Sequence, residues 1–186
     1  MFDIRYRIIL HDIDDVAGES GFFQVSCGPF QYGEYWPPEI EMDMATYWLA
    51  IWFEQFVDLL SSLKKERHVS IVDIETNYVW LEFEYKSKNV FMNLVQTEQD
   101  VGWCLVRKGK RLPDNLPREF PNNIQCSYIE FRDEIVKKAT QYLSEVFMLN
   151  QAILSSALPL NNEQKSFFED CRRIQEKIEF IRRHGI

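Results

Sequence analysis

The sequence predicts a single-domain α+β protein in which antiparallel sheet packs on a Trp-rich helix and the chain ends in an αα-hairpin. Apolar and polar residues alternate with a period of two near the N-terminus and again in the middle of the chain, as in half-buried strands. One apolar stripe with helical spacing lies between these regions, and two more follow them. A length of 186 residues fits one domain. We expect sheet and helix within 1–108, a loop at 109–126 and a two-helix region at 127–184.

Four strands are predicted in the first part of the chain. The first runs from Phe2 to Leu10, and the second and third occupy 21–27 and 30–36, with a Gly-Pro turn between them. The fourth is predicted over 39–44, after two consecutive prolines. There Ile40, Met42 and Met44 alternate with Glu39, Glu41 and Asp43, which gives one apolar and one acidic face.

A helix of nearly five turns is predicted over 45–63, because its apolar residues recur at spacings of three and four. Thr46 or Asp43 is expected to cap its N-terminus. Lys64 and Lys65 suit the negative end of the helix dipole. The predicted inward stripe consists of Trp48, Ile51, Trp52, Gln55, Phe56, Leu59, Leu60 and Leu63.

Strands return after this helix and predict an antiparallel meander. They are expected at 69–75, 79–85, 90–96 and 102–106, with a hairpin turn at residues 87–89. The proline-containing segment 109–126 is interpreted as an extended crossing loop.

Two helices are predicted at the C-terminus. Ser127 and Glu130 have the spacing of a capping box, and an apolar stripe with helical spacing follows them. Asn162 is expected to cap the last helix. The apolar residues of that helix recur with a period near 3.5, which indicates a helix–helix seam and a fold back onto the preceding helix. These seam residues are Phe167, Cys171, Ile174, Ile178 and Ile181.

The net charge of −8 is concentrated in the first third of the chain. Between Ile8 and Leu63 there is no Lys or Arg, while ten Asp and Glu residues occur there. A coherent negative surface attracts basic partners and speeds their association. The same field repels phosphate backbones. We therefore expect a basic protein partner and no direct nucleic-acid binding.

Motifs for chemistry are absent from the sequence. It contains no Gly-rich phosphate loop, no HExxH motif and no nucleophile elbow. Aspartates 12, 14 and 15 lack the Gly and Glu that a calcium loop requires at its sixth and twelfth positions. We expect no catalytic residues, no metal and no cofactor. The four cysteines are widely spaced and are interpreted as buried, reduced thiols. With neither a membrane span nor a signal peptide in the sequence, a cytoplasmic location is expected.

The order of these features resembles one class of bacterial protein. An acidic, strand-rich first third leads into Tyr47-Trp48-Leu49-Ala50-Ile51-Trp52, and a meander containing Val79-Trp80-Leu81-Glu82-Phe83 follows. Over residues 2–108 this is similar to the small immunity proteins of polymorphic-toxin and contact-dependent growth-inhibition systems. The resemblance implies a non-enzymatic protein that binds a cognate toxin C-terminal domain, often a basic nuclease, and covers its active site.

The partner-binding residues are predicted from charge, because a nuclease cleft is basic and an inhibitor can present carboxylates where phosphates would lie. Aromatic residues among these carboxylates would supply contact area at the centre of the interface. The predicted site consists of Asp12, Asp14, Asp15, Glu19, Glu34, Tyr35, Trp36, Glu39, Glu41 and Asp43.

Two other functions stay open on the sequence alone. The chain could be a small enzyme or ligand-binding protein with a pocket between helix 47–63 and the sheet. It could also be a scaffold subunit that dimerises through its C-terminal helices. A histidine and a carboxylate within hydrogen-bonding reach in a deep pocket would favour the first. Loss of dimers after truncation behind Leu149 would favour the second.

Overall fold

The computed structural model describes residues 1–10, 16–40, 47–76, 78–97, 105–119, 124–156 and 159–186. Within these ranges the chain has an α+β fold with two antiparallel sheets that enclose a long helix, and with a helical C-terminal region. The elements are β1 (Phe2–Ile8), β2 (Ser20–Cys27), β3 (Phe30–Glu34), β4 (Tyr47–Trp48), α1 (Leu49–Glu66), β5 (His68–Val72), β6 (Val79–Lys86), β7 (Asn89–Gln96), β8 (Val106–Lys108), β9 (Gln125–Ser127), α2 (Tyr128–Leu149), α3 (Gln151–Ser155) and α4 (Asn162–His184).

The first sheet confirms the three predicted N-terminal strands. Its order is β1-β2-β3, and the short strand β4 also pairs with β2. The period-two pattern places Phe2 and Ile4 of β1 on the buried face, with Phe23 and Val25 of β2 beside them. These four side chains are at most 2% exposed, so the sheet contributes one complete face to the core.

The second sheet has the order β8-β5-β6-β7-β9. The hairpin between β6 and β7 is confirmed, and Ser87 and Lys88 take the positive φ angles of a tight two-residue turn, 53° and 67°. The last strand of the predicted meander, 102–106, lies mostly outside the described residues, and β8, which begins at Val106, pairs with β5 instead of β7. The edge of β7 is occupied by β9, because the loop after β8 crosses the sheet and delivers the chain there.

Helix α1 lies at the centre of the molecule. Trp52, Phe53 and Phe56 are 0% exposed and contact aromatic rings from both sheets and from α2. The predicted bounds were 45–63, whereas the helix runs from Leu49 to Glu66. Trp48 is its N-cap residue and is 52% exposed, so the prediction that Trp48 faces the core is wrong.

The start of α1 is set by tertiary contacts. Its N-cap residue, Trp48, makes no side-chain capping bond, and the expected caps Thr46 and Asp43 lie outside the described residues. Instead, the Glu75 carboxylate accepts the Trp48 N–H at 3.0 Å, and the Glu19 carbonyl accepts the Leu49 N–H at 2.9 Å. Distant groups therefore satisfy donors that a local cap would otherwise bind.

The C-terminal helix pair is confirmed. The capping box of Ser127 and Glu130 opens α2, and a second box opens α4. The N-cap of α4 is Asn161, one residue before the predicted Asn162, because Asn161 pairs with Gln164 at the required spacing. All five predicted seam residues are buried, and α4 packs on α1 as well as on α2. Among the described residues, no helix is both long enough and apolar enough to cross a membrane.

Candidate protein–protein interface

The predicted site is connected to one edge of the first sheet. Strands β3 and β4 both pair with the same strand, β2, so that Glu34 lies opposite Phe23 and Tyr47 lies opposite Gly21. The segment 35–46 therefore starts and ends at neighbouring points of this edge.

Arg7 of β1 anchors the first half of this segment. Its Nη1 donates to the carbonyl oxygens of Trp36 at 3.1 Å, Pro37 at 3.0 Å and Ile40 at 3.3 Å. The Ile40 N–H donates to the Pro37 carbonyl at 3.0 Å and closes a turn. The fourth predicted strand, over 39–44, is therefore wrong at its first two residues, and its remainder lies outside the described residues. The Pro37 carbonyl accepts hydrogen bonds from Arg7 and from the Ile40 N–H, and the Ile40 carbonyl accepts one from Arg7. These turn contacts take the place of strand pairing here.

The structure exposes part of the predicted site. Glu34, Trp36 and Glu39 are exposed, and the Trp36 indole N–H donates to the Glu34 carboxylate at 3.4 Å. Tyr35 is half-buried, and Glu19 is exposed where the chain enters β2. The other predicted residues, Asp12, Asp14, Asp15, Glu41 and Asp43, lie outside the described residues.

Sequence reasoning missed the loop between β5 and β6, which supplies two further acids. The buried Asp73 carboxylate accepts a hydrogen bond from the Tyr32 hydroxyl and, at 3.0 Å each, from the Glu75 N–H and the Thr76 hydroxyl. Glu75 in turn binds the Trp48 N–H. An Asp two residues before a polar residue predicts a turn, but the local sequence does not show that this turn contacts β3 and β4.

We call Glu34, Trp36, Glu39, Trp48 and Glu75 the acidic-aromatic surface. These five residues lie along and beside the β3–β4 edge, and all are exposed. Their backbone is held by Arg7 on one side and by the Asp73 cluster on the other. The surface therefore presents two tryptophan rings and three carboxyl groups from an ordered backbone.

The carboxyl groups of the Asp73 cluster do not ionise independently. Although Glu75 is exposed as a residue, partial desolvation of its carboxyl group, together with a hydrogen bond to Asp73 and the negative charge of Asp73, raises the pKa of Glu75 to about 8. Burial alone would raise the pKa of Asp73, but hydrogen bonds from Glu75, Tyr32 and Thr76 hold it below its usual value. The Asp73–Glu75 pair therefore carries about one negative charge near neutral pH. Burial also raises the pKa of Tyr47 to about 12.

Two acids of the first third are paired with cations of α4. Arg173 of α4 binds the Glu54 carboxylate at 3.1 Å, and Lys177 binds Glu54 at 2.9 Å and Asp58 at 3.0 Å. The expectation that the whole Lys- and Arg-free stretch forms one negative surface is therefore wrong for Glu54 and Asp58. Both lie on α1, so the packing of α4 covers them with its own cations.

Comparison of the chain with models of protein families, with curated proteins and with solved structures finds no match. Function is therefore inferred from the geometry and charge of the surface itself.

The space where a ligand pocket was predicted is occupied by side chains. Between α1 and the first sheet, the rings of Trp52 and Phe23 stack at 5.1 Å, and both residues are 0% exposed. A groove of about 650 Å³ lies elsewhere, between β1 and α2, and its charged residues are Asp3, Arg5, Lys138 and Glu145. Among the described residues, no histidine lines this groove. Within the described ranges, no group of three or more metal-ligating side chains is assembled.

The titration of Glu75 yields a testable prediction. Because its folded pKa lies above its unfolded value, Glu75 contributes stability that is complete at low pH and is lost as the pH rises through about 8. Glu75→Gln keeps a neutral, donating side chain against Asp73. Between pH 6 and pH 9, the melting temperature of this variant should therefore decrease less than that of the wild type, by about 2 to 4 °C. Thermal melting followed by circular dichroism measures this difference. Equal decreases in melting temperature for the wild type and Glu75→Gln would contradict a proton shared by Asp73 and Glu75. Glu119→Gln, at another exposed site, is the control.

Proposed function

We propose that this chain is an immunity protein that binds and neutralises a basic toxin domain through the acidic-aromatic surface. The observation that carries the proposal is the exposure of two tryptophans beside acidic side chains on one anchored sheet edge. Trp36 is 36% exposed and Trp48 is 52% exposed, although both are large apolar residues. Tryptophan is enriched among the residues that contribute most to protein–protein binding energy.

The chemistry of the surface suits a basic protein cleft better than a nucleic acid. Glu34 and Glu39 would repel phosphates, and they would attract the Lys and Arg side chains with which a nuclease binds its substrate. The tryptophan rings can pack against the aliphatic stems and charged heads of those residues. Electrostatic attraction would set the association rate, and the buried rings would set the dissociation rate.

The anchoring of the surface also supports an inhibitor. The three carbonyl contacts of Arg7 fix the turn that carries Glu39, and the Asp73 cluster fixes the backbone at Trp48. A surface that is ordered before binding loses less conformational entropy in the complex. Tight stoichiometric inhibition depends on this small loss of conformational entropy, whereas a transient contact does not.

The scaffold alternative stays a prediction. The seam of α4 is buried within the chain and is not available for a dimer, whereas Met148 at the end of α2 and Phe180 of α4 are exposed. In the open groove between β1 and α2, Glu145 already accepts a hydrogen bond from Tyr6 at 2.9 Å. We therefore propose no catalytic role for this chain.

The proposal is tested by charge reversal on the acidic-aromatic surface. The partner is first captured from the native cell with the immobilised chain, identified and purified. We expect a one-to-one complex whose association rate falls at least about tenfold between 50 and 500 mM salt. Glu34→Lys with Glu39→Lys should slow association by a further factor of about 10 to 100 and abolish inhibition of the toxin.

A matched variant distinguishes a local effect from a change in net charge. Glu119→Lys with Glu169→Lys changes the charge equally at two exposed sites on the crossing loop and on α4. This control should associate within a factor of about three of the wild-type rate. An association rate that does not depend on salt, or equal losses in both double variants, would reject this surface as the binding site.

A further inference from the structure

Exposed cations collect where helix α1 ends. Two lysines occupy its last turn, and Arg67 is its C-cap residue. Strand β6 reaches this point, because the Tyr85 N–H donates to the Arg67 carbonyl at 2.8 Å. Strand β8 reaches it too, because the Gly109 N–H just after this strand donates to the His68 carbonyl, also at 2.8 Å.

The hairpin between β6 and β7 lies at the same end of the molecule. The Lys88 carbonyl accepts the Tyr128 N–H at 2.9 Å, and the Lys64 ammonium lies 4.5 Å from the centre of the Tyr128 ring. We call the exposed cations of these segments the basic end. It consists of Lys64, Lys65, Arg67, Lys86, Lys88, Lys108 and Lys110.

Most cations of the basic end have no ion-pair partner. Within the described part of the chain, only Lys65 forms an ion pair, with Glu66 at 3.8 Å. The cations of α4 differ, because Arg173 and Lys177 bind carboxylates of α1. The seven exposed cations also outnumber the carboxyl groups on the same strand and helix ends, which are Glu66, Glu84 and Glu130. The basic end therefore carries a net positive charge that the fold does not neutralise.

The basic end and the acidic-aromatic surface lie at opposite ends of α1. Trp48 is the N-cap residue of this helix and Arg67 is its C-cap residue. The helix has 18 residues and is therefore about 27 Å long. One chain cannot bring the two surfaces into contact, but two chains can, if the second follows the first along the direction of α1.

We propose that the chain binds a second copy of itself head to tail, with the basic end of one copy against the acidic-aromatic surface of the next. The contact is heterologous, because the two copies contribute different surfaces. Each copy then keeps one unused surface, so association continues into short chains as the concentration rises. The contact uses only these two surfaces and requires no toxin.

The two surfaces match in charge and in side-chain chemistry. Within the described residues, neither Glu34 nor Glu39 has an ion-pair partner, and both are exposed to the ammonium groups of a second copy. The rings of Trp36 and Trp48 can pack on lysine stems and attract the charged heads. A second copy brings this complementary surface at the same concentration as the chain itself, whereas any other anionic partner would have to be supplied.

The strength of the contact should depend on salt. Exposed ion pairs are individually weak, and mobile ions screen them. Association is therefore expected at low salt and at chain concentrations of about 100 µM, with dissociation at high salt. A basic protein bound to the acidic-aromatic surface would exclude the second copy from it.

Sedimentation equilibrium of the purified, full-length chain tests the contact. In about 50 mM salt and at about 200 µM chain, the weight-average mass should exceed the monomer mass by at least about half. In about 500 mM salt it should return to within about 10% of the monomer mass. A chain that stays monomeric at low salt, or that associates equally at both salt concentrations, would overturn the proposal. No toxin is present, so the result is independent of the proposed inhibitor function.

Charge-reversed variants establish which surfaces meet. Glu34→Lys with Glu39→Lys removes the acidic surface, and Lys86→Glu with Lys108→Glu removes the basic end. Each double variant alone should stay monomeric, because neither keeps both surfaces. Their equimolar mixture should form dimers and nothing larger, because only one pair of intact surfaces remains. A mixture that stays monomeric, or a double variant that associates alone as the wild type does, would overturn the head-to-tail contact.

Two further variants separate this contact from net charge and from folding. Glu119→Lys with Glu169→Lys changes the net charge by as much as the acidic variant does, at exposed sites elsewhere. Its dissociation constant should stay within a factor of about three of the wild-type value, and a monomeric control would assign the loss to net charge and reject the contact. Lys88→Glu with Lys110→Glu reverses the basic end at other positions, and it takes the place of the first basic variant if that one does not melt cooperatively.

Discussion

A chain truncated after Leu149 is expected to lose its cooperative fold, and not merely an oligomeric contact. The truncation removes the five buried seam residues of α4, of which Phe167 and the three isoleucines each stabilise the core by about 1.5 to 3 kcal/mol. Their sum is comparable with the entire free energy of unfolding of a typical domain, about 5 to 15 kcal/mol. Far-UV circular dichroism during heating should show no sigmoidal transition.

Electrostatics add to this loss. Without α4, the Glu54 and Asp58 carboxylates on α1 no longer have Arg173 and Lys177 as partners. Both acids then become more exposed to water, so losing their ion pairs costs less than losing the packing of α4. The truncation therefore tests stability as well as assembly.

Point variants test the packing of α4 without removing the helix. Ile174→Ala removes a side chain that is 0% exposed and should destabilise the full-length protein by about 2 to 4 kcal/mol. Gln175→Ala changes the adjacent, exposed residue of the same helix and should cost less than about 0.5 kcal/mol. Urea denaturation measures both. A truncated chain that still unfolds cooperatively, as a monomer, would show that α4 is a separable appendage and would support the scaffold interpretation.

The same contrast explains which features could be predicted from the sequence. The seam of α4 and the strands β1, β2 and β3 were predicted because local periodicity reports directly on which side of an element is buried. The exposure of Trp48 was not predicted, because a tryptophan at helical spacing before a buried helix has the pattern of a core residue. Only the pairing of β4 with β2, a contact between residues 20 and 48, turns it outward.

The candidate site was predictable in part for a similar reason. Runs of like charge show where acids are concentrated along the chain, and Glu34 and Glu39 are exposed as expected. Periodicity does not show which cations fold back onto such a run, so the pairing of Glu54 with Lys177, 123 residues later, could not be inferred. The approach of Asp73 to Tyr32 depends equally on how two sheets face each other. Such long-range contacts are set by tertiary packing, which local patterns do not encode.

The second large effect is expected at the crossing loop, where Arg118→Met should destabilise the protein by about 2 to 4 kcal/mol. The Arg118 side chain is 9% exposed, and its Nε lies 3.2 Å from the buried Glu82 carboxylate of β6. Its guanidinium also donates to the carbonyl oxygens of Leu112, Pro113 and Leu116, so one side chain ties the loop to the outer face of the second sheet. Methionine preserves much of the volume and leaves Glu82 without its principal cation.

Arg111→Met is the matched comparison, because Arg111 also contacts Glu82, at 3.6 Å, but its side chain is 49% exposed. A solvated ion pair of this kind contributes about 0 to 1 kcal/mol. We expect the loss in Arg118→Met to be recovered in large part by Glu82→Gln in the same chain, since the buried charge is then removed together with its partner. Urea denaturation of the two single variants and the double variant measures this coupling. Equal losses for Arg111→Met and Arg118→Met would show that the loop is held by apolar contacts such as Leu112, which is 1% exposed, and not by the buried ion pair.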